Sequence, residues 1–153
     1  MPKEYQTKEE ICVQAQNMLG KSLRTFLGEE GNIAEMEEKV AHYKDQKKGL
    51  LGEFVEEFVF GLKTNNKSEP DFAVAGVELK TNPLKKHPKK TYISKERLVF
   101  SMINYDEIVR ETWEGSSFLK KNRVLLILFY LWMKEQNILD YEFKFVHLLD
   151  LLK

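Results

Sequence analysis

The chain has a single cysteine, Cys12, so no internal disulfide can form. It has no net charge: 24 Lys and Arg stand against 24 Asp and Glu. No charge-free apolar run is long enough to span a bilayer, and the longest, Val124 to Met133, reads as a buried strand or helix. The first residues, Met-Pro-Lys-Glu-Tyr-Gln, are polar and charged and do not form a secretory signal. There is no internal repeat and no low-complexity tract. These absences argue against a membrane-spanning protein and a disulfide-stapled scaffold, and they fit a reducing cytoplasm. What is present suits one domain over residues 1–153: 42% of the residues are hydrophobic and 12% aromatic, enough for one core.

The zero net charge weighs against a strongly basic nucleic-acid binder. Its distribution is uneven, however. Lys80, Lys85, Lys86, Lys89, Lys90, Lys95 and Arg97 face one acid, Glu96, in the same stretch, while acids gather earlier at Glu29, Glu30, Glu35, Glu37, Glu38, Glu53, Glu56 and Glu57. A neutral protein with one basic segment can hold a phosphate backbone locally. A lysine-rich loop that is merely solvated has the same composition.

Thr7-Lys-Glu-Glu10 is a capping box and predicts a helix from about Lys8 to Leu19, with Ile11, Ala15, Met18 and Leu19 inward and Gly20 at its end. Cys12 lies near that inner face as a small apolar residue. Residues 21–45 hold short helical pieces broken at Gly28 and Gly31-Asn32. A second helix is expected from about Asp45 to Gly61, with Leu51, Phe54, Val55, Phe58 and Leu62 along one stripe. Residues 63–70 are polar and read as a loop. Strand-like segments follow at Val77–Lys80, Arg97–Ile103, Arg123–Trp132 and Tyr141–Leu149, with a helix near Tyr105 to Glu114. The third of these is almost wholly apolar, as a strand buried on both faces would be. The whole is an α/β pattern: a mixed central β-sheet flanked by helices.

Period-two alternation puts Glu78 and Lys80 on one face of a strand and Val77 and Leu79 on the other. Asp71 lies seven residues before Glu78, and a bend at Gly76 would bring the two acids together. Two carboxylates at close range repel unless a cation sits between them. Mg2+ suits such a pair: it prefers hard oxygen ligands, keeps several waters and takes the rest from phosphate. A lysine beside it can orient a water or stabilise charge growing on a phosphorane. A plain Glu78–Lys80 salt bridge on an exposed strand would leave the same pattern.

Lys48-Gly49-Leu-Leu-Gly52-Glu-Phe-Val-Glu56, followed by Asp71-Phe-x4-Gly76-Val-Glu78-Leu-Lys80-Thr81-x-Pro83, resembles the core of the MutH family. That family holds a mismatch-repair nicking endonuclease and the Sau-type restriction endonucleases, and Ser94-Lys-Glu-Arg-Leu-Val99, Ile103-Asn-Tyr105 and Ser116-Ser-Phe-Leu119 are similar to the restriction branch. The resemblance spans roughly residues 5 to 135. It implies the restriction-endonuclease-like fold and Mg2+-dependent hydrolysis of double-stranded DNA at GATC. It implies Asp71 and Glu78 as metal ligands, Lys80 as catalytic lysine and Glu56 as a further active-site acid. Glu56 stands one helical turn after Gly52, on a face small enough for close approach; a solvent-facing glutamate is the alternative. Lys48 and Gly49 would meet a phosphate at the start of their helix. Ser94, Lys95 and Arg97 would touch the DNA backbone. Lys121, or its neighbour Lys120, falls where the family has another active-site lysine. His87, alone in the lysine loop, carries no role.

In the family, the residues that read base edges lie further C-terminal than Lys153. The chain is therefore expected to be a catalytic domain excised from a longer parent, with phosphate contacts that position DNA rather than base contacts that specify it. Dimerisation of that parent on DNA is compatible with this expectation. A strand-nicking enzyme and a non-catalytic DNA-binding module on the same fold are the competing readings; the second is expected to have lost an acid or the lysine, and all are present.

Overall fold

The computed structural model describes residues 4–28, 33–43, 49–62, 69–89, 91–95 and 117–152, the last from its side chains at Leu119 onward. Thr7 caps α1 (Lys8–Gln16), its hydroxyl accepting from the Glu10 N–H, while the Glu10 carboxylate reaches back to the Gln6 N–H. Ile11, Ala15 and Met18 are fully buried, as the apolar spacing predicts. Two short helices follow: α2 (Leu23–Leu27), capped by Ser22, and α3 (Ile33–Tyr43), which buries Met36. The Arg24 guanidinium ties them to a 3-10 turn at Ile138–Asp140 by pairing with both Glu37 and Asp140.

The long helix expected over Asp45 to Gly61 is shorter and irregular. Residues 44–48 lie outside the described residues. From Gly49 onward, α4 (Leu50–Phe54) runs directly into a π-helical turn, Val55–Val59, closed by a bond from the Phe60 N–H to the Val55 carbonyl. The wider turn shifts the inward face by one position. Leu51, Phe54 and Val55 are buried as expected, but the next fully buried ring is Phe60, with Phe58 and Leu62 only partly covered.

Among the described residues the sheet has four strands in the order β2-β1-β3-β4. They are β1 (Val77–Lys86), β2 (Tyr92–Ser94), β3 (Val124–Leu131) and β4 (Glu142–Asp150), and α5 (Ser117–Asn122) leads into β3. β1 pairs parallel with β3 and antiparallel with β2, and β3 pairs antiparallel with β4. The sheet is thus mixed and flanked by helices, the α/β architecture the sequence predicts. The apolar run of β3 occupies an interior position, with Leu125 to Leu128 all buried. β1 extends six residues beyond the expected Lys80, through Pro83 to Lys86. β2 has no counterpart in the sequence expectations, and the strand expected at Arg97–Ile103 and helix at Tyr105 to Glu114 fall outside the described residues. The core joins α1, α3, α4 and the π turn to one face of β1, β3 and β4 through Ile11, Met36, Phe54, Leu126, Leu128 and Phe143. No helix among the described residues is long and apolar enough to cross a membrane.

Candidate active site

The pairing of β1 leaves one stretch of its edge open. β2 covers only Leu84 to Lys86, so among the described residues no named strand pairs with Val77 to Thr81 on that side. The chain just upstream fills the gap. Phe72 bridges Val77 in antiparallel sense, and the turn between them needs Gly76 at φ 72°, in the left-handed region. The Gly76 and Val77 N–H groups both donate to the Phe72 carbonyl. This local hairpin lays Asp71 along the open edge, where its Oδ2 accepts from the Leu79 N–H at 3.0 Å. The bend expected at Gly76 is there, and it brings Asp71 to Glu78.

Glu78 is 3% exposed. The surroundings depart from the simple alternation expected, because Val77, Glu78 and Leu79 are all buried: this part of the sheet is covered on both faces. Burial pushes the Glu78 carboxyl well above the usual carboxylate range, and the adjacent Asp71 carboxylate pushes it further, through a shared hydrogen bond and like charge; Lys121 and Lys80 pull the other way. Among the described residues Glu78 Oε2 has no hydrogen-bond partner. Its nearest cation is Lys121 Nζ at 3.6 Å, carried on the last turn of α5 and only 17% exposed. Lys120, the other candidate at this place, is exposed.

Glu56 reaches the same cluster from the helical side. Its carboxyl is raised to about 7, first by burial, then by the negative charges of Asp71 and Glu53, against the opposing pull of Lys80 and Lys121. It sits on the π turn, one helical turn after Gly52. Gly52 has no space for a side chain: a Cβ there would lie 2.8 Å from Thr81 Oγ1, the residue after Lys80. The small face inferred from the sequence is thus in contact with β1. Glu56, Asp71, Glu78, Lys80 and Lys121 form one electrostatically linked group drawn from the π turn, the hairpin, β1 and α5.

The residues expected to meet DNA are more dispersed. Lys48 and Arg97 lie outside the described residues. Gly49 precedes α4 and lines a cavity of about 680 Å3 together with Pro83, Lys95, Tyr130 and Trp132. Lys95 lies with its ammonium 4.7 Å from the centre of the Trp132 ring, a cation–π contact. Ser94 is exposed, but its hydroxyl donates to Asn82 Oδ1 at 2.9 Å. Asn82 is a residue the sequence reading passes over. It is 4% exposed and shares the strand face of Glu78 and Lys80, and the same two-residue spacing marks it.

A buried carboxylate oxygen with no hydrogen bond, beside a second carboxylate, is the chemistry a hard cation satisfies. Among the described residues no group of three or more His, Cys, Asp and Glu is arranged to hold a metal. Asp71 and Glu78 make a two-carboxylate set, which fits an ion that draws its other ligands from water and phosphate.

Fold and site together define an α/β protein whose sheet carries an acidic pair flanked by lysines, the arrangement that the resemblance to metal-dependent endonucleases leads one to expect. The family model for the DNA mismatch repair enzyme MutH matches residues 60–153, and the chain belongs to this family. That match contains Asp71, Glu78, Lys80 and Lys121; Gly52 and Glu56 precede it. The chain is also 38% identical over 130 residues to the type II restriction enzyme Sau3AI of Staphylococcus aureus, an alignment covering 85% of this chain and 24% of that protein. The chain therefore spans about a quarter of the length of this relative.

Proposed function

We propose that this chain is the catalytic domain of a type II restriction endonuclease that hydrolyses double-stranded DNA at GATC with Mg2+ as its metal. The observation that carries this reading is the buried Glu78 carboxylate beside the half-buried Asp71, with Glu78 Oε2 without a hydrogen bond among the described residues and Lys80 and Lys121 as its nearby cations. The similarity to a restriction enzyme supports the reaction and the target; Mg2+ is favoured by the all-oxygen, two-carboxylate donor set.

Asp71 and Glu78 would hold the ion, which when bound would supply Lewis-acid polarisation of a phosphoryl oxygen. Lys80, next along the strand face, orients the attacking water and stabilises the charge that develops on the phosphorane. Lys121 offsets the charge of Glu78 and favours its ionised form against burial and Asp71. Glu56, poised at about 7, exchanges a proton near neutral pH. Gly49 and Lys95, on the 680 Å3 cavity, contact the sugar–phosphate backbone; Ser94, Lys48 and Arg97 are assigned the same role from the sequence, the last two lying outside the described residues. The substrate is duplex DNA, with base reading assigned to parts of a longer parent protein, whose pairing on DNA is compatible with cutting both strands. The lone Cys12 is in keeping with a cytoplasmic enzyme.

The test is a plasmid assay on the parent protein with Mg2+ and with chelator, for the natural sequence and Glu78→Ala. Metal-dependent linear product with 5′-phosphate ends, lost in Glu78→Ala, is the expected result. Cutting that survives Glu78→Ala would overturn the site. Persistent open-circular product would favour the strand-nicking activity of the mismatch-repair branch. Absence of any cutting by the intact parent would favour a DNA-binding module.

A further inference from the structure

Gly52 stands inside α4 with helical backbone, where glycine is a poor choice on local grounds: alanine favours a helix interior by about 1 kcal/mol. Its neighbours are well-ordered core residues, with Leu51, Phe54 and Val55 buried at 5%, 1% and 0% exposure. No turn and no positive φ calls for glycine here. What does call for it is Thr81, whose Oγ1 would lie 2.8 Å from a methyl group at position 52. Real Cβ atoms do not stand at that distance, so an added methyl would have to turn the Thr81 side chain or lift α4 from β1.

Both partners of this contact sit one step from the candidate chemistry. Thr81 follows Lys80 on β1, and Glu56 lies one turn along the helix from Gly52. Phe54, Val55 and Phe60 pack the helix and the π turn into the same core as Val77 and Leu79 of β1, so a displacement at Gly52 carries Glu56 with it. We propose that the Gly52–Thr81 contact is a positioning device: the absence of a side chain at Gly52 sets how closely the helix approaches β1, and hence where the Glu56 carboxyl stands relative to Lys80 and the acid pair. This rests on the endonuclease reading above. Displacement of an active-site group by about 1 Å can lower a rate by about 100-fold without weakening substrate binding.

The experiment is a set of four variants of the intact protein: Gly52→Ala, Thr81→Ala, the double variant, and Gly52→Ala in a Glu56→Gln background. Single-turnover cleavage, DNA binding and thermal unfolding are measured for each. Gly52→Ala should lower the cleavage rate about 10- to 100-fold with DNA affinity unchanged. Thr81→Ala alone should leave the rate near that of the natural sequence. The double variant should regain the rate to within about 3-fold, because the methyl then has room. In the Glu56→Gln background, Gly52→Ala should cause no further loss, since its effect passes through Glu56. A Gly52→Ala protein that cuts at the natural rate per folded molecule, a double variant that regains stability without rate, or an equal loss in the Glu56→Gln background would each overturn the proposal. If Gly52→Ala does not fold, the double variant decides: recovery of folding and rate together supports the contact, and recovery of neither overturns it. If the natural protein itself does not cut DNA, the endonuclease reading fails. The steric part then still stands or falls on whether Thr81→Ala restores the thermal stability lost in Gly52→Ala.

Discussion

Lys121 Nζ stands 3.6 Å from Glu78 Oε2, near enough for ionic attraction and beyond the reach of a good hydrogen bond. The pair is nearly shielded from solvent, with Glu78 the more deeply buried partner. A buried ion pair held this loosely contributes little by itself; its sign for function is that the carboxylate is left with an acceptor still to satisfy.

Lys121 and Lys120 should therefore separate cleanly. Lys121→Ala removes the cation nearest Glu78 and should lower the cleavage rate about 100-fold, as loss of one charge-stabilising group does. Lys120→Ala, at an exposed position, should stay within about 3-fold of the natural rate. Equal rates for the two variants would remove Lys121 from the site.

Glu78→Gln should trade activity for stability. The neutral amide removes a buried charge from beside Asp71 and should stabilise the metal-free protein by about 1–2 kcal/mol, while cleavage falls at least about 1,000-fold. Chemical denaturation and a cleavage assay read the two effects separately. A destabilised Glu78→Gln protein would mean that the carboxylate is already well compensated.

The metal-free protein should lose stability as pH rises. Glu56 and Glu78 both have carboxyls raised above their ordinary 4.5, to about 7 for Glu56 and higher for Glu78. In that window the folded chain holds protons that the unfolded chain has released, so each unit of pH favours unfolding. The stability is fully present below about pH 4.5 and is lost as pH climbs through the folded values. The Tm in chelator should fall by at least about 4 °C between pH 5 and pH 8. Mg2+ should restore it at pH 8 and do little at pH 5, where Glu78 holds its proton. A flat profile in chelator would contradict the raised carboxyls.

Gly76→Ala should strain the hairpin that carries Asp71. Holding an alanine at φ 72° costs about 1–2 kcal/mol, and relief of that strain shifts Asp71 along the β1 edge. Cleavage should fall about 10-fold or more, and higher Mg2+ should recover part of it. Gly76→Ala with unchanged rate and stability would show that the turn tolerates a side chain.

Much of this site is legible in the chain because its centre is local. Asp71, Glu78 and Lys80 lie within one hairpin, and Gly76 marks the turn that closes it. Gly52 and Glu56 obey helical spacing, which survives the short distance between them. Other features leave no such mark. An i→i+5 turn at Val55–Val59 has no periodicity of its own, so the exchange of Phe58 for Phe60 in the core follows only from the backbone. Lys120 and Lys121 differ by a rotation about α5, and only packing of that helix on β1 distinguishes them. Alternation predicts one covered face for Val77–Lys80, yet helices cover both, because burial depends on what lies above a strand as well as on its own pattern. Asn82 and Ser94 meet through strand pairing that the polar sequence around them does not announce.

The hairpin of Asp71 and Glu78 has a consequence for the route by which the chain folds. Its bonds join residues close in sequence, whereas Lys121 and Glu56 arrive only through long-range docking of α5 and the π turn. Short-range contacts form first, so the two acids meet, with Lys80 beside them, before Lys121 comes to Glu78. The repulsion is met by protonation in acid and stands unrelieved near neutral pH, a barrier that a divalent cation would lower. Stopped-flow refolding at pH 8 should accordingly speed up with Mg2+ and show no such gain in Glu78→Gln, making the active site a pacemaker of its own assembly.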